Sequence, residues 1–285
     1  LGNPRMNLIL DLGVTTATLL LVILGLGIIL GLMDVINLAH AGLMAAGVYM
    51  ALLFASLGSG FVVAVIGATA ATAALGAVIE IVVIRRLYGR AIDDTILATW
   101  GVSLILIQSI SWIFGREPVG LAVPIPGGIF VFGVDYPAYR LFLVAVAAAM
   151  VLALAAVMRF TRLGLTVRMV MTNEALARGV GIDTVRVRQL TFITGAAIAG
   201  AAGALIGPTQ GLSPQYGVAF LAPAFLAVLI AGRNLAGLVV AAILLGATQV
   251  LVTLYANPVY ADVVVIVVAV VILRIWPAGF TWRRA

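Results

Sequence analysis

The sequence is dominated by apolar runs, several of them 18 or more residues long, that neither alternate nor recur every 3.6 residues. Runs of that length read as membrane-spanning helices rather than as the half-buried elements of a soluble core. Composition agrees: 64% of residues are hydrophobic and 9% are charged, against about 45–50% and about 25% in soluble domains. A soluble fold of this size still exposes much of its surface and has nowhere to hide such an excess. The chain reads as all-α, a polytopic transmembrane helical bundle.

About nine apolar segments can be counted, at 8–32, 38–57, 61–84, 94–113, 139–158, 189–208, 219–232, 235–254 and 259–276. Some are interrupted, so the expected count is 8–9 spans with broken or re-entrant helices. The first run is too long for a cleavable signal peptide and is not followed by a small-residue cleavage site. Residues 1–285 read as one membrane domain, whose most polar stretch, about 160–188, is a cytoplasmic segment.

Arginine sets the expected orientation. All sixteen basic residues are arginine. With nine crossings, thirteen fall on one side (Arg85, Arg86, Arg90, Arg159, Arg162, Arg168, Arg178, Arg186, Arg188, Arg233, Arg274, Arg283 and Arg284) and three on the other (Arg5, Arg116 and Arg140). Positive loops stay in the cytoplasm, so the N-terminus is expected outside and the C-terminus inside. The tally depends on dividing 219–254 into two crossings.

What is missing narrows the chemistry. Without lysine there is no Walker A loop to hold nucleotide phosphates. Without cysteine there is no thiolate metal site or thiol nucleophile, and the lone His40 cannot build a multi-histidine site. The net charge of +6 reflects membrane topology rather than nucleic-acid binding. No catalytic constellation is present, and no cofactor is expected in this chain.

Four segments carry information beyond spanning. Residues 31–49, GLMDVINLAHAGLMAAGVY, place Asp34, Asn37 and His40 with several glycines between apolar runs. This is either a broken helix lining a path or an ordinary turn capped by Asp34 and Asn37. Were the backbone helical, Asn37 and His40 would share a face. Gly195, Ala199, Gly203 and Gly207 recur every fourth residue, a pattern that lets helix backbones approach closely, within the chain or against a partner. Between Gly164 and Phe192, Thr172 and Asn173 read as caps of a short helix with Glu174 in its first turn. That helix should end near Gly179 or Gly181, and Asp183 should cap the next one. Residues 207–220, GPTQGLSPQYGVAF, are either a plain loop or a second broken-helix region with Gln210, Ser213, Gln215 and Tyr216.

In four stretches the chain resembles permease subunits of ABC importers of the branched-chain amino acid type, a group that includes urea and short-amide permeases. They are GLMDVINLAHAGLMAAGVYMA, ILATWGVSLILIQ, PIPGGIFVFGVDYPAYRLFL and NEALARGVGIDTVRVRQLTFITGAAIAGAAGALIG. At 231–237 this chain has AGRNLAG where many relatives have a Gly-Gly pair. The resemblance implies that Asn37, His40 and Gly42 line the translocation path, with Gln210 and Tyr216 as candidates from the second break. It also implies that Glu174, Ala177, Arg178 and Gly181 form the coupling helix that docks on an ATPase. The implied partners are two ATP-binding cassette subunits, which bind the ATP, a second permease chain (most simply a heterodimer) and a periplasmic or tethered solute-binding protein. The implied location is the bacterial inner membrane. A stand-alone ion-coupled carrier would instead need titratable groups inside the spans, for which Asp11, Asp34, His40, Glu80 and Asp262 are the candidates.

Overall fold

The computed structural model describes residues 4–33, 35–131, 133–232, 234–277 and 279–280. Asp34, Arg233, Arg283 and Arg284 lie outside them. In chain order the elements are α1 (Pro4–Met33), α2 (Ala39–Ser56), α3 (Phe61–Val82), α4 (Ile92–Phe114), the strands β1 (Gly128–Val131) and β2 (Val134–Pro137), α5 (Ala138–Phe160), α6 (Arg162–Thr172), α7 (Glu174–Gly179), α8 (Thr184–Ile206), α9 (Leu221–Ala231), α10 (Leu235–Tyr255) and α11 (Pro258–Ile275). Short 3₁₀ turns cover Ile84–Leu87, Gly207–Thr209 and Tyr216–Phe220.

Among the described residues, eight helices are long and apolar enough to cross a membrane: α1 to α5, α8, α10 and α11. All nine expected segments are helical, but the seventh is corrected in length. Its regular helix, α9, has 11 residues and is entered through the five-residue turn Tyr216–Phe220. Pro214 and the glycines around it keep the preceding stretch from joining the helix. The sixth span starts earlier than its apolar run, at Thr184, because Asp183 accepts a hydrogen bond from the Arg186 N–H and fixes the start.

The chain divides into two compact units. One comprises Leu1–Ile23, Ala122–Met150 and Ala222–Ala285. Here α10 and α11 form an antiparallel pair, each started by an asparagine. Asn234 accepts from the Ala236 N–H, and Asn257 accepts from the Val259 N–H with Pro258 at the first helical position. The hairpin β1–β2 is antiparallel, with Gly128 opposite Pro137 and Val131 opposite Val134. Gly133 lies in its turn at φ +85. The Tyr136 hydroxyl, on β2, donates to Asp11 at 2.6 Å.

The other unit comprises Leu24–Leu121 and Val151–Leu221. Its centre is α2 packed against α8, α3 and α4. In lipid, helices gain little from hydrophobic transfer, so close van der Waals packing must hold them together. Missing Cβ atoms allow it. A side chain at Gly47 would collide with the Gly200 backbone, one at Gly203 with the Met44 carbonyl, one at Gly200 with Thr72, and one at Gly76 with Ala196. Gly195 meets Gly25 and Ile29 of α1, and Gly207 meets Val48. The small-residue face of α8 is therefore spent within the chain. Three buried hydroxyls on these helices are satisfied locally: Thr72 donates to Ala68 O, Ser111 to Ile107 O and Thr191 to Val187 O.

This packing predicts that Gly200→Val abolishes recovery of folded, monodisperse protein from detergent. Gly101→Ala, at a helical glycine with nothing within 4 Å of an added Cβ, should leave yield and elution unchanged in size-exclusion chromatography.

Candidate functional site

The backbone between α1 and α2 is non-helical at Val35, Ile36 and Asn37 and turns at Leu38. Asn37 therefore stands outside α2, and the helical face that it would have shared with His40 does not form. Its side-chain oxygen accepts from the Ala39 N–H at 3.2 Å, and its backbone carbonyl accepts from the His40 N–H at 3.3 Å. Asn37 thus closes a side-chain turn onto the first N–H of α2 from just before the N-cap residue Leu38, fully buried and with its amide nitrogen left without a partner. The turn expected of Asn37 is present, and its amide nitrogen is in addition a polar donor held in the interior.

A residue that the sequence reading missed holds this break open. Thr99 of α4, completely buried, accepts from the Leu38 N–H at 3.1 Å. Its hydroxyl lies 3.1 Å from the Ile36 carbonyl and 2.7 Å from the Thr95 carbonyl of its own helix. Buried irregular backbone survives only when its polar groups are met, and Thr99 meets two of them from a neighbouring helix. One turn along, the Ser103 hydroxyl is buried without a partner, as is the hydroxyl of Tyr49. Gly42 packs on this same surface, since a Cβ there would touch Leu106 and the Cα of Ser103. His40, in the first turn of α2, is buried with its imidazole against Gly25 of α1.

The second irregular stretch meets the first through α2. Gly217 lies so close to Ala41 that a side chain would strike its carbonyl. Tyr216 is buried beside Phe220, ring centroids 5.5 Å apart, whereas Gln210 is exposed. Leu212, at the middle of the stretch, exchanges two backbone hydrogen bonds of 3.0 Å with Val119.

At the other end of this unit, α6 and α7 precede α8. Asn173 caps α7 by accepting from the Leu176 N–H at 2.9 Å, as expected. Thr172 does not cap. It ends α6 with its hydroxyl bonded to Arg168 O at 2.8 Å. The helix stops at Gly179, and Gly181 follows at φ +86, a conformation suited to glycine. Ala177 is 1% exposed and faces the protein's own interior, while Leu176 and Val180, each 61% exposed, and Arg178 point outward. Glu174 receives Arg178 Nη2 at 2.6 Å and also Arg188 Nη2 from α8. Burial pushes the Glu174 carboxyl upward, but the hydrogen bond from Arg178 and the charge of Arg188 outweigh it and hold it below the ordinary carboxylate range.

Of the titratable groups that an ion-coupled carrier would need, Glu80 is fully buried at the last turn of α3 but fully bonded. Arg85 grips it with Nε at 3.2 Å and Nη2 at 2.9 Å, and the Tyr88 hydroxyl donates at 2.9 Å. Asp11 is bonded by Tyr136, and Asp262 is exposed. No three His, Cys, Asp or Glu side chains among the described residues come together to hold a metal ion.

Replacing Thr99 by Val should strand the Leu38 N–H and lower the unfolding free energy by about 1–3 kcal/mol. Thr99→Ser should recover most of it. A thermal melt of the detergent-solubilised protein checks both.

Comparison with known proteins places this architecture. Residues 8–273 match the model of a family described as branched-chain amino acid transport system / permease component. The high-affinity branched-chain amino acid transport system permease protein LivH of Escherichia coli (strain K12) is 28% identical over 289 residues, covering 95% of this chain and 94% of that protein. LivH of Salmonella typhimurium (strain LT2) is similar to the same degree, 28% over 289 residues. The family match runs from within α1 to within α11, and so takes in all eight long helices, both irregular stretches and α7. The chain belongs to the family of permease components of branched-chain amino acid transport systems, in keeping with the ABC-importer resemblance of its motifs.

Proposed function

We propose that this permease forms the translocation path for branched-chain amino acids, or closely related small polar solutes, in an ATP-driven importer of the bacterial inner membrane. A second, related permease chain completes the path, a solute-binding protein delivers substrate from outside, and two ATPase subunits dock on the cytoplasmic face. The observation that carries this reading is the family match over residues 8–273. Supporting it, Asn37, His40, Gly42 and Tyr216 are buried around the point where the two irregular stretches meet on α2, with Gln210 exposed at one end. The unpartnered amide nitrogen of Asn37 and hydroxyl of Ser103 are the donors available there to a polar solute.

The orientation proposed from arginine also gains support from contacts within one unit. The Arg188 guanidinium lies 4.8 Å from the Tyr88 ring centroid. The arginine-rich loops around 83–91 and 159–188 therefore share an end, and the Val119–Leu212 pairing joins loops at the other. The seventh segment is compatible with a crossing. A crossing there keeps Arg274 in the cytoplasm, as the positive-inside rule requires.

On this reading α7 is the docking helix. Leu176, Arg178 and Val180 are its outward contacts, while buried Ala177 seats it on the permease and Gly181 ends it. Leu176→Asp or Val180→Asp leaves the permease fold intact but sets an unpaired charge in the docking surface, a burial that costs several kcal/mol. The amount of ATPase co-purifying from membranes should fall at least about tenfold, and leucine uptake with it; wild-type co-purification would remove α7 from the interface.

Because the chain has no cysteine, single introduced thiols report topology without background. Gly120→Cys should react with a membrane-impermeant maleimide in intact cells, and Arg90→Cys should react only after permeabilisation. The reverse pattern overturns the orientation.

A further inference from the structure

A line of five side chains runs from α7 to the end of α3. Glu174 of α7 holds Arg188 of α8 by an ion pair, and Arg188, 17% exposed, lies over the Tyr88 ring with 4.8 Å to its centroid. The Tyr88 hydroxyl donates to Glu80 of α3 at 2.9 Å, and Arg85 closes on both oxygens of the same carboxylate. Burial and the hydrogen bond to Glu80 raise the pKa of the Tyr88 phenol far above its usual range, so it remains a donor at any physiological pH. Every contact is charge-assisted or made to the face of a ring, the geometries that resist sliding. Farther into the membrane, α3 is fixed to α8 by Gly76 against Ala196 and by Thr72 against Gly200. The line therefore ends on a helix rigidly joined to the core of its unit. One strand is loose: Arg188 Nε is buried without a partner. A buried donor left unpaired marks a network that has not saturated its bonds in this arrangement.

We propose that Glu80, Tyr88 and Arg188 are positioning residues for transport, forming the linkage through which displacement of α7 by the ATPase moves α3 and α8. This rests on the reading of α7 as the docking helix. None of the three side chains lies on the outward face of α7, so their loss leaves docking intact and breaks only transmission. The two roles are thus separable. Glu80 is accordingly the anchor of this linkage on α3.

The test uses the complete transporter, with its ATPases, second permease chain and binding protein, in proteoliposomes. The most conservative variant, Tyr88→Phe, removes one oxygen and keeps the ring beneath Arg188; Glu80→Gln removes the charge. Both should retain ATPase subunits at the wild-type ratio and hydrolyse ATP at the basal rate. Uptake of radiolabelled leucine per ATP hydrolysed should fall by about fivefold or more, the lower range of coupling between linked sites. A reporter at the end of α3, Val82→Cys, gives a readout that needs no substrate. Trapping with ATP and vanadate should change its maleimide reactivity with Tyr88 present and not in Tyr88→Phe. A purely structural role would lower yield or melting temperature and leave both readouts unchanged. Wild-type coupling and a wild-type reporter response in Tyr88→Phe overturn the linkage. Absence of ATPase from the unmutated complex overturns the docking reading and the linkage with it.

Discussion

The contact on which the larger unit depends is the one between the backbones of α2 and α8 at Gly47 and Gly200. In water, a helix pair can tolerate a gap because burying apolar surface still stabilises it. In lipid the alternative neighbour is an acyl chain, as apolar as any leucine, so only closeness and polar bonds distinguish protein from lipid. Removing both Cβ atoms at one crossing brings the two backbones together, and the rest of α8 follows that alignment. Gly203 then meets Met44, Gly207 meets Val48, and Gly195 meets α1. The same approach places Gly200 on Thr72, so α3 is drawn into the same packing. One crossing sets the spacing of four helices.

That closeness is what allows α2 to begin late. A span that started in regular helix would need nothing from its neighbours, but residues 35–38 have surrendered their intrahelical bonds. They recover them from Thr99 across the interface and from the side chain of Asn37. The recovery is incomplete. The Asn37 amide nitrogen and the Ser103 and Tyr49 hydroxyls remain buried without partners, each unmet group costing about 1–3 kcal/mol. Such groups are kept where structure alone would discard them, and here they surround the helix on which both irregular segments converge.

Much of this was legible in the sequence because it is local. Apolar run length gave the spans, Asn173 and Asp183 gave their caps, and the four-residue spacing on α8 gave its tight face. What stayed hidden is set by tertiary geometry. Thr99 sits in an apolar run, where a threonine can bond its own helix and needs no partner elsewhere. Its second bond, to Leu38, spans 61 residues of sequence. Ala177 is the right size for either an interface or an interior, and only the fold turns it inward. Glu80 at a span end could have been a proton carrier, since nothing in the run of residues reveals that Arg85 and Tyr88 curl back onto it. The seventh segment's regular helix is shorter than its apolar run because that run includes Ala219 and Phe220, which the structure spends on a 3₁₀ turn.

The exclusive use of arginine has a local rationale at three positions. Arg85 meets both oxygens of Glu80 with two different nitrogens, which a single ammonium could not do in that geometry. Arg178 divides its donors between the Glu174 carboxylate and the Thr184 hydroxyl, so one side chain ties α7 to the start of α8. Arg188 lies with its guanidinium over the Tyr88 ring while Nη2 reaches Glu174. A lysine at any of these sites would preserve the charge but would present a single ammonium where arginine uses two separate points of contact. At these three positions the planar, many-donor group accounts for the choice of arginine over lysine. These charges are the fasteners between helices: Arg85 holds the end of α3, Arg178 ties α7 to α8, and Arg188 joins α8 to both Glu174 and Tyr88.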